Sequence, residues 1–271
     1  MEIELSKKQG LIAGDGELPV KLVKSAQRNG FEIIAISLAP GNKNLLACYC
    51  KKVYSYGPGE LQKILNTLHD EKITQLSFIG KVHKGLLFRN PRLDKRAVDL
   101  IKQKKKLNDD TVMLTIIEEL NKEGITALDQ TIFLKELLVS KGIIGSHFPD
   151  ENQKLDIEYG FHVAKEMGRL DIGQSIIIQN KMILAVEAIE GTDRTIERGG
   201  RLGNGNAVVV KVSKPKQDKR FDIPTVGLKT LKTMKNFGAK VLAVEAGETF
   251  TVQKEEMIKF ADKNKMVFVA V

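Results

Sequence analysis

The chain has 271 residues, of which 42% are hydrophobic and 28% charged, and its formal net charge is +9. This composition excludes a disordered chain, and the length favours two domains over one. The first residues, MEIELSKKQG, lack the apolar segment of a signal peptide, and no apolar run approaches the roughly 18 residues of a membrane span. We therefore expect a cytoplasmic protein.

The positive charge is spread along the chain. Residues 1–134 contain 21 Lys and Arg against 16 Asp and Glu, and the remaining residues contain 22 against 18. A diffuse positive field attracts nucleotide diphosphates, anionic lipid surfaces and nucleic acid without choosing among them. Aromatic residues make up only 6% of the chain and Trp is absent, so platforms for base stacking are few and we expect no nucleic-acid partner.

The first half alternates predicted strands and helices. Short apolar runs predict strands at Leu11–Ala13, Ile33–Leu38 and Leu76–Gly80. Apolar residues at helical spacing predict helices that begin near Leu18 and Leu61. This order of elements predicts a parallel sheet with crossover helices.

A Gly-containing loop, Gly14, Asp15 and Gly16, follows the first predicted strand. Its backbone N–H groups and the following helix N-terminus could bind a phosphate. Pro19 stands where the dinucleotide-binding fingerprint has its third Gly, and Pro suits a first helical turn. The loop therefore predicts a phosphate site or a structural turn, and disfavours a cofactor of the NAD type.

Two other segments of the first half have plainer interpretations. Cys48 and Cys50 are spaced to lie on one side of a strand, and we interpret them as small, reduced core residues, because no second pair completes a zinc site. The charged segment from Arg89 to Asp110 predicts a solvated helix, with contact to an anion or a membrane surface as the alternative. Apolar residues at helical spacing predict another helix over Val112–Glu123, which ends at Gly124.

The sequence between Ile144 and Asp156 has no regular spacing of apolar residues, which predicts a linker. Apolar residues at helical spacing then predict a helix over Tyr159–Leu170. We accordingly divide the chain into an N-terminal domain over residues 1–134, a linker region over 135–156 and a C-terminal α/β domain over 157–271.

The pentapeptide LAVEA occurs twice in the second half, each time within a strand-like run. It places Glu187 and Glu245 on the strand face that also carries small Ala side chains. The two carboxylates are either solvated or, at adjacent strand ends, suited to a metal or a charged ligand.

The segment from Ala188 to Gly227 carries acids, bases and hydroxyls around the strand-like run Ala207–Val212. Its polar residues include Glu190, Thr192, Asp193, Arg194, Lys211, Lys214, Asp218, Lys219, Arg220, Asp222 and Thr225. This combination predicts a site for a phosphorylated ligand, with carboxylates left for a metal or a water. The four His residues show no metal-binding spacing, so oxygen ligands and hence Mg²⁺ or Mn²⁺ are favoured. The alternative for Asp218 and Asp222 is a solvated charged hairpin.

Six blocks of the sequence resemble the LpxI family of UDP-2,3-diacylglucosamine pyrophosphatases. They are GLIAGDGELP at 10–19, IGKV at 79–82, DIGQSIII at 171–178, AVEAIEGTDRTIERGG at 185–200, VKVSKPKQDKRFDIPTVG at 210–227 and LAVEAGET at 242–249. They cover nearly the whole length. The resemblance implies a Rossmann-like N-terminal domain and a C-terminal α/β domain of distinct fold.

The resemblance also implies an activity. A cytosolic enzyme of lipid A synthesis, associated with the cytosolic face of the inner membrane and dimeric, would hydrolyse UDP-2,3-diacylglucosamine to UMP and 2,3-diacylglucosamine 1-phosphate (lipid X). Mg²⁺, with Mn²⁺ as a substitute, would assist water in attacking the phosphorus nearer the sugar.

Roles carried over to this chain follow from the matching blocks. The implied catalytic residues are Asp222, Asp218, Lys211, Lys214 and Arg220. The implied substrate-binding residues are Gly14, Asp15, Gly16, Lys81, Gly191, Thr192, Gln217 and Thr225. The implied metal ligands are Asp222, Asp193, Glu190 and Glu187. Two other functions compatible with the residues are a nucleotide-binding oxidoreductase and a non-catalytic protein that binds anionic lipid or nucleic acid.

Overall fold

The computed structural model describes residues 4–82, 93–102 and 109–271. It divides into two compact units, the first comprising residues 1–134 with Lys219–Phe221 and the second residues 135–218 with 222–271. Both units contain helices and a sheet, which confirms the predicted fold class. Within the described ranges, no helix combines the length and the apolar character needed to cross a bilayer.

The first unit is built around a five-stranded parallel sheet. Its strands are β1 (Lys8–Ala13), β2 (Glu32–Ser37), β3 (Lys52–Ser55), β4 (Gln75–Ile79) and β5 (Thr126–Ala127). Its helices are α1 (Leu18–Arg28), α2 (Pro40–Ala47), α3 (Leu61–Asp70), α4 (Lys95–Lys102), α5 (Asp109–Lys122) and α6 (Thr131–Leu134). The strand order β3-β2-β1-β4-β5 is Rossmann-like and reverses between β1 and β4.

Helices cover this sheet. A core of Ile12, Ile34 and Phe78 from the strands packs with Leu65 of α3 and Ile117 of α5. Apolar residues recur along these helices at the spacing that turns one face inward, which is why the sequence pattern predicted the elements. Phe221, although distant in sequence, packs against this same core.

The second unit contains a six-stranded mixed sheet and a two-stranded one. Its strands are β6 (Gly142–Ile143), β7 (Ser175–Gln179), β8 (Met182–Val186), β9 (Ala207–Lys211), β10 (Thr225–Gly227), β11 (Ala239–Val244), β12 (Phe250–Val252) and β13 (Val267–Ala270). Its helices are a 3-10 turn (Lys135–Leu137), α7 (Glu151–Arg169), α8 (Thr192–Leu202), α9 (Leu228–Phe237) and α10 (Lys254–Lys263). The strand orders are β6-β13-β11-β9-β7-β8 and β10-β12.

The larger sheet is buried on both faces. Alternate residues of the central strands, such as Val208 and Val209, belong to two different cores. One core joins the sheet to α7 through Ala164, and the other joins it to α8 and α9 through Ile196 and Leu231. This explains why the central strands read as continuous apolar runs.

The start of α7 corrects the predicted helix Tyr159–Leu170, which was too short. The helix begins at Glu151, where Asp150 accepts a hydrogen bond from Gln153 N and the Gln153 side chain accepts one from Asp150 N. This capping box satisfies the first amides of a helix whose exposed opening turn carries little apolar signal. Residues 135–156, the predicted linker region, lie in the second unit and include the 3-10 turn, β6 and the first residues of α7.

The cysteines correct another expectation. Cys48 follows α2 and is exposed, whereas Cys50 is buried, so they do not share one face of a strand. Burial raises the pKa of the Cys50 thiol to about 12. In the charged segment, Lys95–Lys102 is helical, and residues 89–92 and 103–108 lie outside the described part of the chain.

Candidate functional site

Four polar residues of the second unit lie at one edge of its large sheet, where strands begin or end. Strands β8, β9 and β11 run in one direction, and Glu187, Lys211 and Glu245 stand at or just after their carboxyl ends. Antiparallel β7 begins at the same edge with Ser175, whose carbonyl accepts a hydrogen bond from Glu187 N. Carboxyl ends of parallel strands are where α/β folds bind ligands.

Thr192 connects two buried charged side chains at this edge. The Thr192 hydroxyl donates a hydrogen bond to Glu187 Oε1 at 2.9 Å. It accepts one from Lys211 Nζ at 3.1 Å. Lys211 Nζ also donates to the carbonyl of Thr225 at 3.2 Å. Both Glu187 and Lys211 are 8% exposed, and Glu187 Oε2 is buried without a hydrogen-bond partner within the described residues. The chain turns into α8 at Gly191, whose φ of +80° favours glycine.

Lys214 lies between two carboxylates on the loop that follows β9. Its Nζ is 2.8 Å from Asp171 Oδ1 and 3.7 Å from Asp222 Oδ2. Gln217 closes the loop, because its side-chain oxygen accepts from Lys214 N at 2.9 Å and its amide nitrogen donates to Asp222 Oδ2 at 2.6 Å. A cation and an amide donor beside a half-buried carboxylate can bind phosphate oxygens and orient a water.

Asp218 and Asp222 occupy one turn of backbone, since Asp222 N donates to the carbonyl of Asp218 at 3.1 Å. The intervening Lys219–Phe221 belongs to the first unit, where Lys219 O accepts a hydrogen bond from Gln130 N at 2.9 Å. Arg220, which we expected to stabilise charge on the pyrophosphate, therefore lies on that first-unit segment, and the two acids lie in the second unit.

Glu190 and Asp193 each have a basic partner. Arg198 Nη2 lies 2.6 Å from Glu190 and lowers the pKa of that carboxyl below its ordinary value through this hydrogen bond. Asp193, in the first turn of α8, lies 2.6 Å from Lys229 Nζ. Within the described residues, no three His, Cys, Asp or Glu side chains form a group that could hold a metal ion.

Glu187 and Glu245 lie at one edge but not on adjacent strands, which corrects the expectation from the repeated pentapeptide. Strands β9 and β7 separate β11 from β8, so the two strand ends are about 14 Å apart. Glu245 instead contacts Lys165 of α7, with 2.6 Å between the Lys165 Nζ and the carboxylate.

The loop of Gly14, Asp15 and Gly16 lies at the point where the first sheet reverses its strand order. Gly14 N donates to Ile79 O, and Asp15 and Lys81 exchange two backbone hydrogen bonds of 2.8 and 2.9 Å. The amides of Gly14 and Asp15 are therefore not available to a phosphate. Asn42 Nδ2 donates to the carbonyls of Gly14 and Gly16 at 2.7 and 3.0 Å.

Sequence reasoning missed Asp171, Lys165 and Asn42 as contributors to these two sites. Asp171 adopts φ of +56° just after α7, a conformation that Asp tolerates better than most residues. Its position in the block DIGQSIII was the available signal, whereas Lys165 and Asn42 lie on helices with no local feature that marks them.

One unit has a parallel sheet and the other a mixed sheet, which defines a two-domain α/β protein. Acids and bases lie at the strand ends of the second unit. The family model of the LpxI N-terminal domain matches residues 8–137, and that of the LpxI C-terminal domain matches residues 140–269. UDP-2,3-diacylglucosamine pyrophosphatase LpxI of Caulobacter vibrioides is 32% identical in an alignment of length 267, and the match covers 94% of each chain. The chain belongs to the LpxI family.

Two solved structures have a lower sequence identity to this chain. An ADP complex of N5-carboxyaminoimidazole ribonucleotide synthetase is 12% identical, covers 63% of this chain and 31% of that one, and has a TM-score of 0.28. The biotin carboxylase domain of the Hydrogenobacter thermophilus 2-oxoglutarate carboxylase is 14% identical, with 64% and 35% covered and a TM-score of 0.29. The chain spans about a third of the length of these two structures, and overlaps this small carry no conclusion about fold or function.

Proposed function

We propose that this protein hydrolyses the pyrophosphate bond of UDP-2,3-diacylglucosamine, giving UMP and 2,3-diacylglucosamine 1-phosphate in lipid A synthesis. The observation that carries the proposal is the similarity over 94% of the chain to a relative named for this pyrophosphatase activity. The acids and bases at the carboxyl edge of the second sheet support it, because pyrophosphate hydrolysis needs groups that orient water and neutralise phosphate oxygens.

Asp222 orients the attacking water in this proposal. The water oxygen bonds to the phosphorus nearer the sugar and gives a proton to the Asp222 carboxylate. The bond from that phosphorus to the bridging oxygen breaks, and UMP leaves with the bridging oxygen. Gln217 holds the Asp222 carboxylate through the 2.6 Å hydrogen bond, and Lys214, 3.7 Å away, stabilises the charge that develops on the pyrophosphate.

Lys211 supplies a second cationic donor at the same edge, where Thr192 and Thr225 hold it. Lys211 is buried and held by the Thr192 hydroxyl and the Thr225 carbonyl, so its ammonium group has a fixed position. We assign these residues, with Gly191, to substrate binding. Lys81 and Gly16 stay substrate-binding candidates of the first unit, whereas the amides of Gly14 and Asp15 already donate within that unit.

The turn of Asp218 and Asp222 fits Mg²⁺, with Mn²⁺ as a substitute. Mg²⁺ usually keeps several waters and needs only one or two protein carboxylates beside substrate phosphates, so a larger cluster is not required. We assign Asp222 and Asp218 as its ligands, because one turn of backbone brings the two residues together, and keep Glu190 and Asp193 as further candidates. Bound there, the cation would withdraw charge from the pyrophosphate oxygens.

We further propose that the protein works in the cytoplasm as a homodimer and contacts the inner membrane peripherally. The net charge of +9 supports attraction to an anionic lipid surface, where the lipid-linked substrate resides.

The experiment is UMP release from UDP-2,3-diacylglucosamine in detergent micelles, with Mg²⁺ and with chelator. We expect metal-dependent release, and in ¹⁸O-water we expect the label in the diacylglucosamine 1-phosphate. Label in UMP would contradict attack at the sugar-side phosphorus. No release by folded protein with any divalent metal would contradict the function, and stabilisation by NAD(P) would favour the oxidoreductase alternative.

A further inference from the structure

The backbone of Ser213 is held on both sides by one ion pair. Glu245, just after β11, accepts a hydrogen bond from Ser213 N at 2.7 Å, and Lys165 of α7 donates to Ser213 O at 2.9 Å. The Lys165 ammonium lies 2.6 Å from the Glu245 carboxylate. Both peptide groups of Ser213 are thus fixed by side chains that also fix each other.

This ion pair is shielded from water. The side chain of Glu245 is 16% exposed and that of Lys165 is 24% exposed, while Ser213 as a whole is buried. A shielded pair with additional hydrogen bonds holds its geometry better than a surface pair, which is screened and mobile.

The residue held in this way begins the loop of the candidate site. Lys214 follows Ser213 directly and lies near Asp171 and Asp222, and Gln217 ties the loop to Asp222. Any displacement of Ser213 would therefore move Lys214 relative to the Asp222 carboxylate.

Gly168 adds a second contact from the same helix. A Cβ atom at Gly168 would lie 3.2 Å from Lys214 Cα and 3.3 Å from Pro215 Cδ, so α7 packs closely against the loop. Lys165 and Gly168 are three residues apart and share one helix face.

We propose that Lys165 and Glu245 are positioning residues that hold the loop of Ser213 to Gln217 and so place Lys214 for the reaction. This inference rests on the proposed function and concerns residues that do not touch the substrate. Removing the pair lowers turnover through Lys214 and leaves substrate binding largely intact.

The test combines kinetics with hydrogen exchange in the full-length protein. Variants are Glu245→Ala, Glu245→Gln and Lys165→Met, each with and without Lys214→Ala. The matched control is Glu151→Gln with Lys154→Met, which removes an exposed pair of the same helix whose atoms lie 2.7 Å apart. Exchange is followed in peptides that cover residues 213–218.

We expect Glu245→Ala to lower kcat about tenfold with KM changed by less than about threefold, and Glu245→Gln, which keeps an acceptor for Ser213 N, to lower it less. In the Lys214→Ala background, Glu245→Ala should lower kcat less than about twofold, because both substitutions act through the Lys214 ammonium group. Exchange over 213–218 should accelerate in Glu245→Ala and Lys165→Met and stay unchanged in the control.

If the double variant lost kcat by the product of the two single losses from Glu245→Ala and Lys214→Ala, the inference would be overturned. Unchanged hydrogen exchange over residues 213–218 in Glu245→Ala and Lys165→Met would also overturn it. Unchanged kcat in Glu245→Ala would overturn it while the proposed function stands. If the unmodified protein releases no UMP, the proposed function fails, and the exchange data still decide whether the pair holds the loop.

Discussion

The side chain of Gln217 donates a 2.6 Å hydrogen bond to the carboxylate of Asp222, five residues further along the chain. The other end of the same amide accepts from Lys214 N, so its two atoms have defined roles and the Asp222 carboxylate is held in one orientation. A carboxylate that orients water must be fixed in this way, since small displacements reduce turnover strongly.

Replacement of Gln217 tests that relationship. Gln217→Glu places a second negative charge beside Asp222 and removes the amide donor, so we expect kcat to fall about tenfold to hundredfold, with a smaller loss in Gln217→Ala. Steady-state UMP release measures it. Lys216→Ala, a change at an exposed neighbour, is the control. Equal activity of Gln217→Glu and the unmodified protein would contradict a role for the hydrogen bond.

Substitution of Gly80 tests how closely its loop packs against the loop of Gly14 and Asp15 in the first unit. A Cβ atom there would lie 2.8 Å from Gly14 C and 2.9 Å from Asp15 O, and φ is +96°. Gly80→Ala should lower the free energy of unfolding by about 2–4 kcal/mol, through strain and clash together.

The matched control for Gly80 is Gly124→Ala. Gly124 has φ of +75° with open space around its Cβ position, so it isolates the conformational cost, about 1 kcal/mol. Urea unfolding of both variants measures the difference. Equal losses would mean that the contact between the two loops contributes nothing.

Glu71 links stability of the first unit to pH. Its carboxylate accepts hydrogen bonds from Lys52, Tyr54 and Lys8, which lower its pKa to about 2. Because the folded pKa lies below the ordinary value near 4, the stabilisation is present at neutral pH and is lost as pH falls from about 4 towards 2.

Glu71→Gln should therefore lower the free energy of unfolding by about 1–3 kcal/mol at pH 7, with a smaller difference at pH 3. Urea unfolding at the two pH values measures it. A difference that stays constant between them would contradict the assigned coupling.

Much of the fold could be predicted because the elements carry clear periodicity. The strands around Leu11, Ile34 and Val209 are apolar runs, and Gly124 ends a helix by adopting a positive φ. The start of α7 was missed because its first turn is polar, and its signal was the Asp150 and Gln153 capping box.

The candidate site was predictable only where its residues are close in sequence. Lys214, Gln217 and Asp222 share one loop, so their proximity follows from chain length alone. Asp171 is 43 residues from Lys214 in sequence. Its contact with Lys214 depends on where α7 ends, which the sequence pattern does not fix. The relation between Glu187 and Glu245 depends on the strand order, which no local pattern determines.

The most direct test of the central claim is UMP release from UDP-2,3-diacylglucosamine by Asp222→Asn and the unmodified protein, with Mg²⁺ and at equal folded fraction. Glu166→Gln, at an exposed carboxylate of α7, is the control. We expect the asparagine variant to lose activity by about a thousandfold while the control retains it, because the amide cannot orient and activate water as the carboxylate does. Turnover of Asp222→Asn within a few-fold of the unmodified protein would contradict the assignment of Asp222 to the reaction.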